Sequence, residues 1–318
     1  MDKNLALDFV RVTEAAALSA ARWIGKGDKN AADQAAVETM RRVFNNLDID
    51  GKVVIGEGER DKAPMLYIGE KVGTGKGKKI DIAVDPLECT NSVAYGRPNA
   101  IAVLAAGPAG SLLHAPDTYM NKIAVGPKAV GAIDLDASVK DNIKAVAGAL
   151  NKQVKDVTVI VLDRERHEKL ITEIREAGAR IYLISDGDIS GAIAPCMPES
   201  DIDMLMGIGA APEGVIGAAA LKSMGGEMQV RLSPMNEEDK KRAIKMGIED
   251  IDKKMNQNDL VNCNTSMFAA TGVSSGPLLR GVRYTSEGAV THSMVLREKS
   301  KSRRFIETYH VFEDEPEY

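Results

Sequence analysis

From Val157 onward, short apolar segments alternate with amphipathic ones at a spacing that few folds accept. Val157–Leu162 reads as a strand, about 165–177 as a helix, Arg180–Ile184 as a strand, about 188–194 as a helix, Met204–Ile208 as a strand and about 213–224 as a helix. Alternation at that length means βαβ units, whose crossovers require a parallel sheet with helices packed on it. The preceding half has a different rhythm. Helices are expected over about 5–24 and from about Ala31, with strand-like runs at Lys52–Ile55, Ile80–Val84, Ala100–Ala105 and Ile123–Val125 and a helix near 139–150. The class is α/β, and the change of rhythm sets an expected boundary, with an α+β domain over 1–155 and an α/β domain over 156–318. A charged helix over about 236–256 and several strands are expected to finish the chain.

Composition removes whole classes. With 44% apolar and 27% charged residues, 318 positions make a folded enzyme-like chain, not a disordered or fibrous one. A net charge of −5 gives no footprint for nucleic acid or an anionic membrane. No apolar run approaches the roughly 18 residues that span a bilayer. Met1-Asp2-Lys3-Asn4 leads into an amphipathic segment, not a secretory one, and Cys89, Cys196 and Cys263 form neither a disulfide framework nor a Cys-x-x-Cys zinc site. A reducing cytoplasm is the expected compartment. The 29 glycines cluster with acids, which suggests tight turns at chemical sites.

Acids that directly follow apolar strands matter most, because open α/β sheets bind ligands beyond the carboxyl ends of their strands. Val53–Gly56 runs into Glu57, Ile80–Val84 into Asp85 and Glu88, Ile181–Ile184 into Asp186 and Asp188, and Met204–Ile208 through Ala210 to Glu213. Each segment alone also reads as an ordinary turn. Asp33 recurs with Val37, Met40 and Phe44 at helical spacing, so it is either a first-turn charge favoured by the helix dipole or an acid aimed with the apolar stripe. Grouped carboxylates need a cation, and an oxygen-only set selects Mg²⁺ or Mn²⁺. Magnesium takes few protein carboxylates per ion, so this many acids imply two or more ions, about 4 Å apart, suited to phosphoester hydrolysis. Within Asp85-Pro86-Leu87-Glu88-Cys89-Thr90, the Thr90 hydroxyl stands at an expected helix start, where free amides face a phosphate and where an N-cap is the plain alternative.

Asp85-Pro86-Leu87-Glu88-x-Thr90 resembles the metal-binding signature of the lithium-sensitive, metal-dependent phosphatases. Gly27-Asp28-Lys29-Asn30-x-x-Asp33, Val53–Gly58, Ala63–Glu70, Ala115-Pro116-Asp117-x-Tyr119-Met120, Asp186-Gly187-Asp188 and Ala211-Pro212-Glu213-Gly214 narrow the resemblance to class II fructose-1,6-bisphosphatases. The resemblance implies a two-domain αβαβα sandwich that removes the 1-phosphate of fructose 1,6-bisphosphate in gluconeogenesis, with some relatives also acting on sedoheptulose 1,7-bisphosphate. It implies metal ligands at Asp33, Glu57, Asp85, Glu88 and Glu213. Sugar-phosphate contacts fall on Glu88, Cys89, Thr90, Tyr119, Arg164, Glu165, Arg166, Asp186, Gly187, Asp188 and Ala210. Thr90 is the hydroxyl beside the reacting phosphorus and Glu57 a proton acceptor. A homo-oligomer, dimer or tetramer, is implied as well.

Two positions depart from the family pattern: Cys89 stands where glycine is usual, and Ala210 where glycine is frequent. Cysteine is strained if that backbone needs a positive φ. Arg164 and Arg166, after the strand Val157–Leu162, offer guanidinium forks to the phosphate that is not cleaved. His114, His167, His292 and His310 lie at no metal-ligand spacing and read as structural or solvated. Gly73-Thr74-Gly75-Lys76-Gly77-Lys78 matches neither nucleotide-loop pattern and reads as an exposed turn. The competing readings are an inositol-monophosphate or nucleotide phosphatase, a nucleotide-binding oxidoreductase and a sugar-phosphate sensor without catalysis.

Overall fold

The computed structural model describes residues 5–57 and 65–312. Gly58 to Arg60 and the Ala63-Pro64 pair of the sequence signature lie outside these residues. In chain order the elements are α1 (Leu5–Ala21), α2 (Lys29–Phe44), β1 (Ile49–Ile55), β2 (Lys71–Val72), β3 (Lys78–Glu88), α3 (Thr90–Ala94) and β4 (Ile101–Pro108). Then come β5 (Tyr119–Val125), α4 (Val139–Leu150), β6 (Thr158–Leu162), α5 (Glu168–Glu176), β7 (Arg180–Ile184), α6 (Asp188–Ile193), β8 (Met204–Ala210) and α7 (Ala211–Met224). The chain continues through β9 (Glu227–Ser233), α8 (Glu237–Lys245), β10 (Met255–Asn256), α9 (Gln257–Leu260), β11 (Met267–Gly272), β12 (Arg283–Tyr284), β13 (Gly288–Arg297) and β14 (Ser302–Val311). No helix among the described residues is long and apolar enough to cross a membrane.

These elements form two compact units, and the division differs from a single cut near 155. One unit contains the chain up to Leu112 together with the chain from Cys263; the other is Leu113–Asn262. The rhythm of the sequence marked where parallel pairing starts. It could not show that β5 pairs antiparallel with β8 and β9, which carries the segment from residue 119 into the second unit.

The first unit is built on an eight-stranded mixed sheet, ordered β12-β13-β11-β4-β3-β1-β2, with β14 on the outer side of β13. Alternate residues of its strands, among them Ile80, Ile82, Val84, Ala102, Leu104 and Ala106, face the apolar sides of α1 and α2, including Phe9, Val12, Ala16, Val37, Met40 and Phe44. A one-residue slip would exchange this set for the opposite parity, which includes the small Ala83 and Ala105, also buried. The Gly73–Lys78 stretch is a turn into β3, as expected: Gly73, Gly75 and Gly77 all have positive φ.

The second unit carries a six-stranded sheet, β10-β9-β5-β8-β6-β7. β6 runs parallel to both β7 and β8, as the βαβ reading requires. Val157, Val159, Val161, Met204 and Met206 pack against Ile143, Val146, Ile171 and Ile174 of α4 and α5. The opposite parity serves the other face, where Ile160 and Leu205 lie beside Gly191 of α6 and Met228 beside Gly217 of α7. Helices therefore cover both faces. The charged helix expected over 236–256 is shorter: α8 ends at Lys245, and Gly247 at φ +95° turns the chain before Met255 enters β10.

Candidate active site

In the first unit, β1 and β3 are parallel neighbours with Ile55 opposite Ala83, so Glu57 and Asp85 each follow two residues later at the same end of the sheet. Gly56 is required here, since a side chain would overlap the Leu66 carbonyl, and the Glu57 amide donates to that same oxygen at 2.9 Å. The β3–β4 register shifts between Asp85 and Glu88, and this bulge sets the two acids differently: Asp85 is half-buried, whereas Glu88 is 3% exposed. Asp85 Oδ1 accepts from the Leu87 amide at 3.1 Å, fixing the turn through Pro86.

Thr90 is the first residue of α3 and Cys89 takes the cap position without a side-chain capping bond, so the N-cap alternative for Thr90 does not hold. Cys89 sits at φ +72°, ψ +50°, the left-handed region foreseen for a usual glycine position. The loop after α1 ties α3 to α2: the Gly25 and Gly27 amides donate to Val93 and Ala94 carbonyls at 2.9 Å. Asp28 then caps α2 by accepting from the Ala31 amide at 3.0 Å. The helix thus begins earlier than expected, which places Asp33 beyond its first turn and removes the dipole explanation. Burial pushes the half-buried Asp33 carboxyl up to about 6.

In the second unit the expected residues gather where β6, β7 and β8 end and β5 begins. Tyr119 lies opposite Ala210 in the β5–β8 register. The Arg166 guanidinium sits 4.5 Å over the Tyr119 ring and donates from Nε and Nη2 to the Ile208 carbonyl at 3.0 and 2.8 Å. Arg164 pairs with Asp186 at 2.7 Å, and Glu165 is exposed in a short 3-10 turn between Arg164 and His167. Gly187, at φ +105°, turns the chain into α6 so that Asp188 points inward.

Asp188 forms an ion pair with Lys122, whose side chain is 2% exposed, and Lys122 Nζ also donates to the Ala210 carbonyl at 2.6 Å. Glu213, half-buried in the first turn of α7, adjoins this pair. Burial first, then the Asp188 charge, hold its carboxyl well above the usual range, while Lys122 pulls the other way. Lys122 was not anticipated. The signal was present in its parity: Met120, Lys122 and Ala124 share the buried face of β5, but an apolar run beginning at Ile123 hid the strand's first half.

The donor set fits a hard divalent cation. Asp33, Glu57, Asp85 and Glu88 offer only carboxylate oxygens, and Mg²⁺ or Mn²⁺ typically takes one or two of these per ion and completes its shell with water and phosphate. Among the described residues no group of three or more acids, histidines or cysteines is close enough to hold a metal by itself.

The family model for bacterial fructose-1,6-bisphosphatase, glpX-encoded, matches residues 3–310. This chain belongs to that family. Fructose-1,6-bisphosphatase 1 class 2 of Escherichia coli is 46% identical, with 98% of this chain and 97% of the relative covered. Fructose-1,6-bisphosphatase class 2 of Shigella flexneri matches to the same extent. Cys89, where the resemblance implies glycine, occupies a backbone position that favours glycine.

Proposed function

We infer that this chain is a phosphoric monoester hydrolase that removes the 1-phosphate of fructose 1,6-bisphosphate, leaving fructose 6-phosphate, in gluconeogenesis. The observation that carries this is the family match over residues 3–310, with relatives of that activity named at 46% identity. The arrangement of the second unit supports it, because a guanidinium held over an aromatic ring and by a backbone carbonyl is preorganised for a phosphate oxygen pair.

Asp33, Glu57, Asp85, Glu88 and Glu213 are the proposed ligands for two or more Mg²⁺ or Mn²⁺ ions. Such ions, when bound, offset the negative charge that develops on the transferring phosphoryl oxygens. Thr90 orients the attacking water through its hydroxyl, and Glu57 accepts the proton that the water loses. Glu88, Cys89 and Thr90 line the cleaved phosphate. Arg164, Glu165 and Arg166 bind the phosphate that stays, with Tyr119 as the platform under Arg166. Asp186, Gly187, Asp188 and Ala210 contact the sugar. A homo-oligomer acting in the cytoplasm accompanies this reading.

Phosphate release from fructose 1,6-bisphosphate and sedoheptulose 1,7-bisphosphate, measured side by side with and without Mn²⁺, tests the assignment. Metal-dependent release from the fructose ester supports it. Binding of that ester without turnover would make the chain a sensor, and preference for a monophosphate would leave Arg164 and Arg166 without their role.

A further inference from the structure

His167 is 1% exposed and lies beside Arg166, and its two ring nitrogens are engaged by the backbone of Leu162 and Ile208. Its Nδ1 is 2.7 Å from the Leu162 carbonyl oxygen, an acceptor only, so Nδ1 carries the proton. Its Nε2 is then an acceptor, and the Ile208 amide donates to it at 2.7 Å. The carbonyl of the same residue 208 receives both guanidinium bonds from Arg166. One residue of β8 is therefore held at its N–H by the imidazole and at its C=O by the arginine.

The backbone is shaped for this. Gly207 has φ +142°, and a side chain there would begin 3.1 Å from His167 Nε2 and 3.2 Å from Cε1, so the ring occupies the space that glycine leaves. Two residues beyond Ile208, Ala210 stands opposite Tyr119, the ring that carries the Arg166 guanidinium. A shift of Ile208 would move the anchor of Arg166 relative to its aromatic platform.

We propose that His167 is a positioning residue for substrate affinity: by fixing Ile208 from the amide side, it sets where the Arg166 guanidinium meets the phosphate that is not cleaved. The inference rests on the reading of Arg166 as a phosphate ligand. It assigns no proton transfer to the imidazole, which is too deeply buried and already engaged at both nitrogens.

Two isosteric variants separate positioning from general stability. His167→Gln places an amide oxygen where Nε2 stands and keeps the Ile208 bond while losing that to Leu162; His167→Asn does the reverse. Each loses one buried hydrogen bond, so a purely structural role lowers Tm and shifts KM alike in both. Positioning predicts that KM for fructose 1,6-bisphosphate rises about tenfold in His167→Asn, the equivalent of roughly 1.4 kcal/mol, with kcat changed less than about threefold. His167→Gln then keeps KM within about threefold.

Arg166→Ala and the double variant Arg166→Ala/His167→Asn complete the cycle. With Arg166 absent, the asparagine change should add nothing to KM. Equal KM effects in both His167 variants, or an additive double variant, overturns the positioning role alone. An unchanged KM in Arg166→Ala overturns the phosphate reading of that arginine, and the inference with it.

Discussion

The Asp188 carboxylate occupies the space in which a side chain on Gly209 would begin, so the buried Lys122–Asp188 pair and the absence of a Cβ at residue 209 are one arrangement. Gly209→Ala forces the carboxylate away from Lys122. Separating the partners of a buried pair costs on the order of 3 kcal/mol, because each charge is left without compensation in a low-dielectric interior. Urea unfolding should show that loss. A variant as stable as the parent would mean that β8 yields to the methyl group and that the pair is not held by this contact.

Cys89 at φ +72° predicts a gain from the smaller residue. A left-handed conformation costs a side-chain-bearing residue about 1 kcal/mol, and the extra freedom of glycine in the unfolded chain returns roughly half of that. Cys89→Gly should therefore stabilise the chain by about 0.5 kcal/mol. Cys89→Ala retains the strain and serves as the control; equal behaviour of the two variants would assign any effect to the thiol.

One contribution to the pH dependence of stability comes from the same imidazole that clamps Ile208. Burial lowers the His167 pKa, opposed by the Leu162 carbonyl and the Asp188 charge and assisted by the Arg166 and Arg164 charges. Below its ordinary value of about 6.5 the unfolded chain binds a proton that the folded one resists, so stability is lost as pH falls from there toward the lower folded value. His167→Gln removes this titration. Its unfolding free energy should fall less between pH 6.5 and 5 than that of the parent, and parallel curves would refute the contribution.

Thr90→Ala should reduce kcat by about 100-fold with an unchanged far-ultraviolet spectrum, the usual size of a lost proton-transfer or water-orienting group. Chelation should abolish phosphate release, and Mn²⁺ or Mg²⁺ should restore it. Full activity after chelation, or in Thr90→Ala, would remove the corresponding assignment.

How much of this was legible depended on range. The β6, β7 and β8 alternation could be read because each strand and the helix that follows it are adjacent in sequence. The first half of β5 could not, because Asn121 and Lys122 break its apolar run, and the reason Lys122 is tolerated lies 66 residues away in Asp188. Gly247 was a local stop signal that the charged pattern beyond it obscured. The strain at Cys89 was readable only through the family resemblance, which marked a glycine position. The position of Asp33 along α2 needed the Asp28 cap, whose bond moves the start of the helix and changes which turn the acid occupies.

The first unit takes its strands from both sides of Leu113–Asn262, and this has a consequence for how the chain is made. β11 joins β4 to β13 in the middle of that sheet, with Ala102 opposite Thr271 and Ala106 opposite Met267. A chain emerging N-terminus first has every strand of the second unit once residue 262 is complete, while β4 still presents an open hydrogen-bonding edge and α1 lacks β11 and β13 to pack on. At roughly 5–20 residues per second, synthesis leaves that edge waiting for several seconds or longer. Long-range closure is the slow step in such a topology, so a chain cut short after residue 262 should hold the second unit folded and the first aggregation-prone.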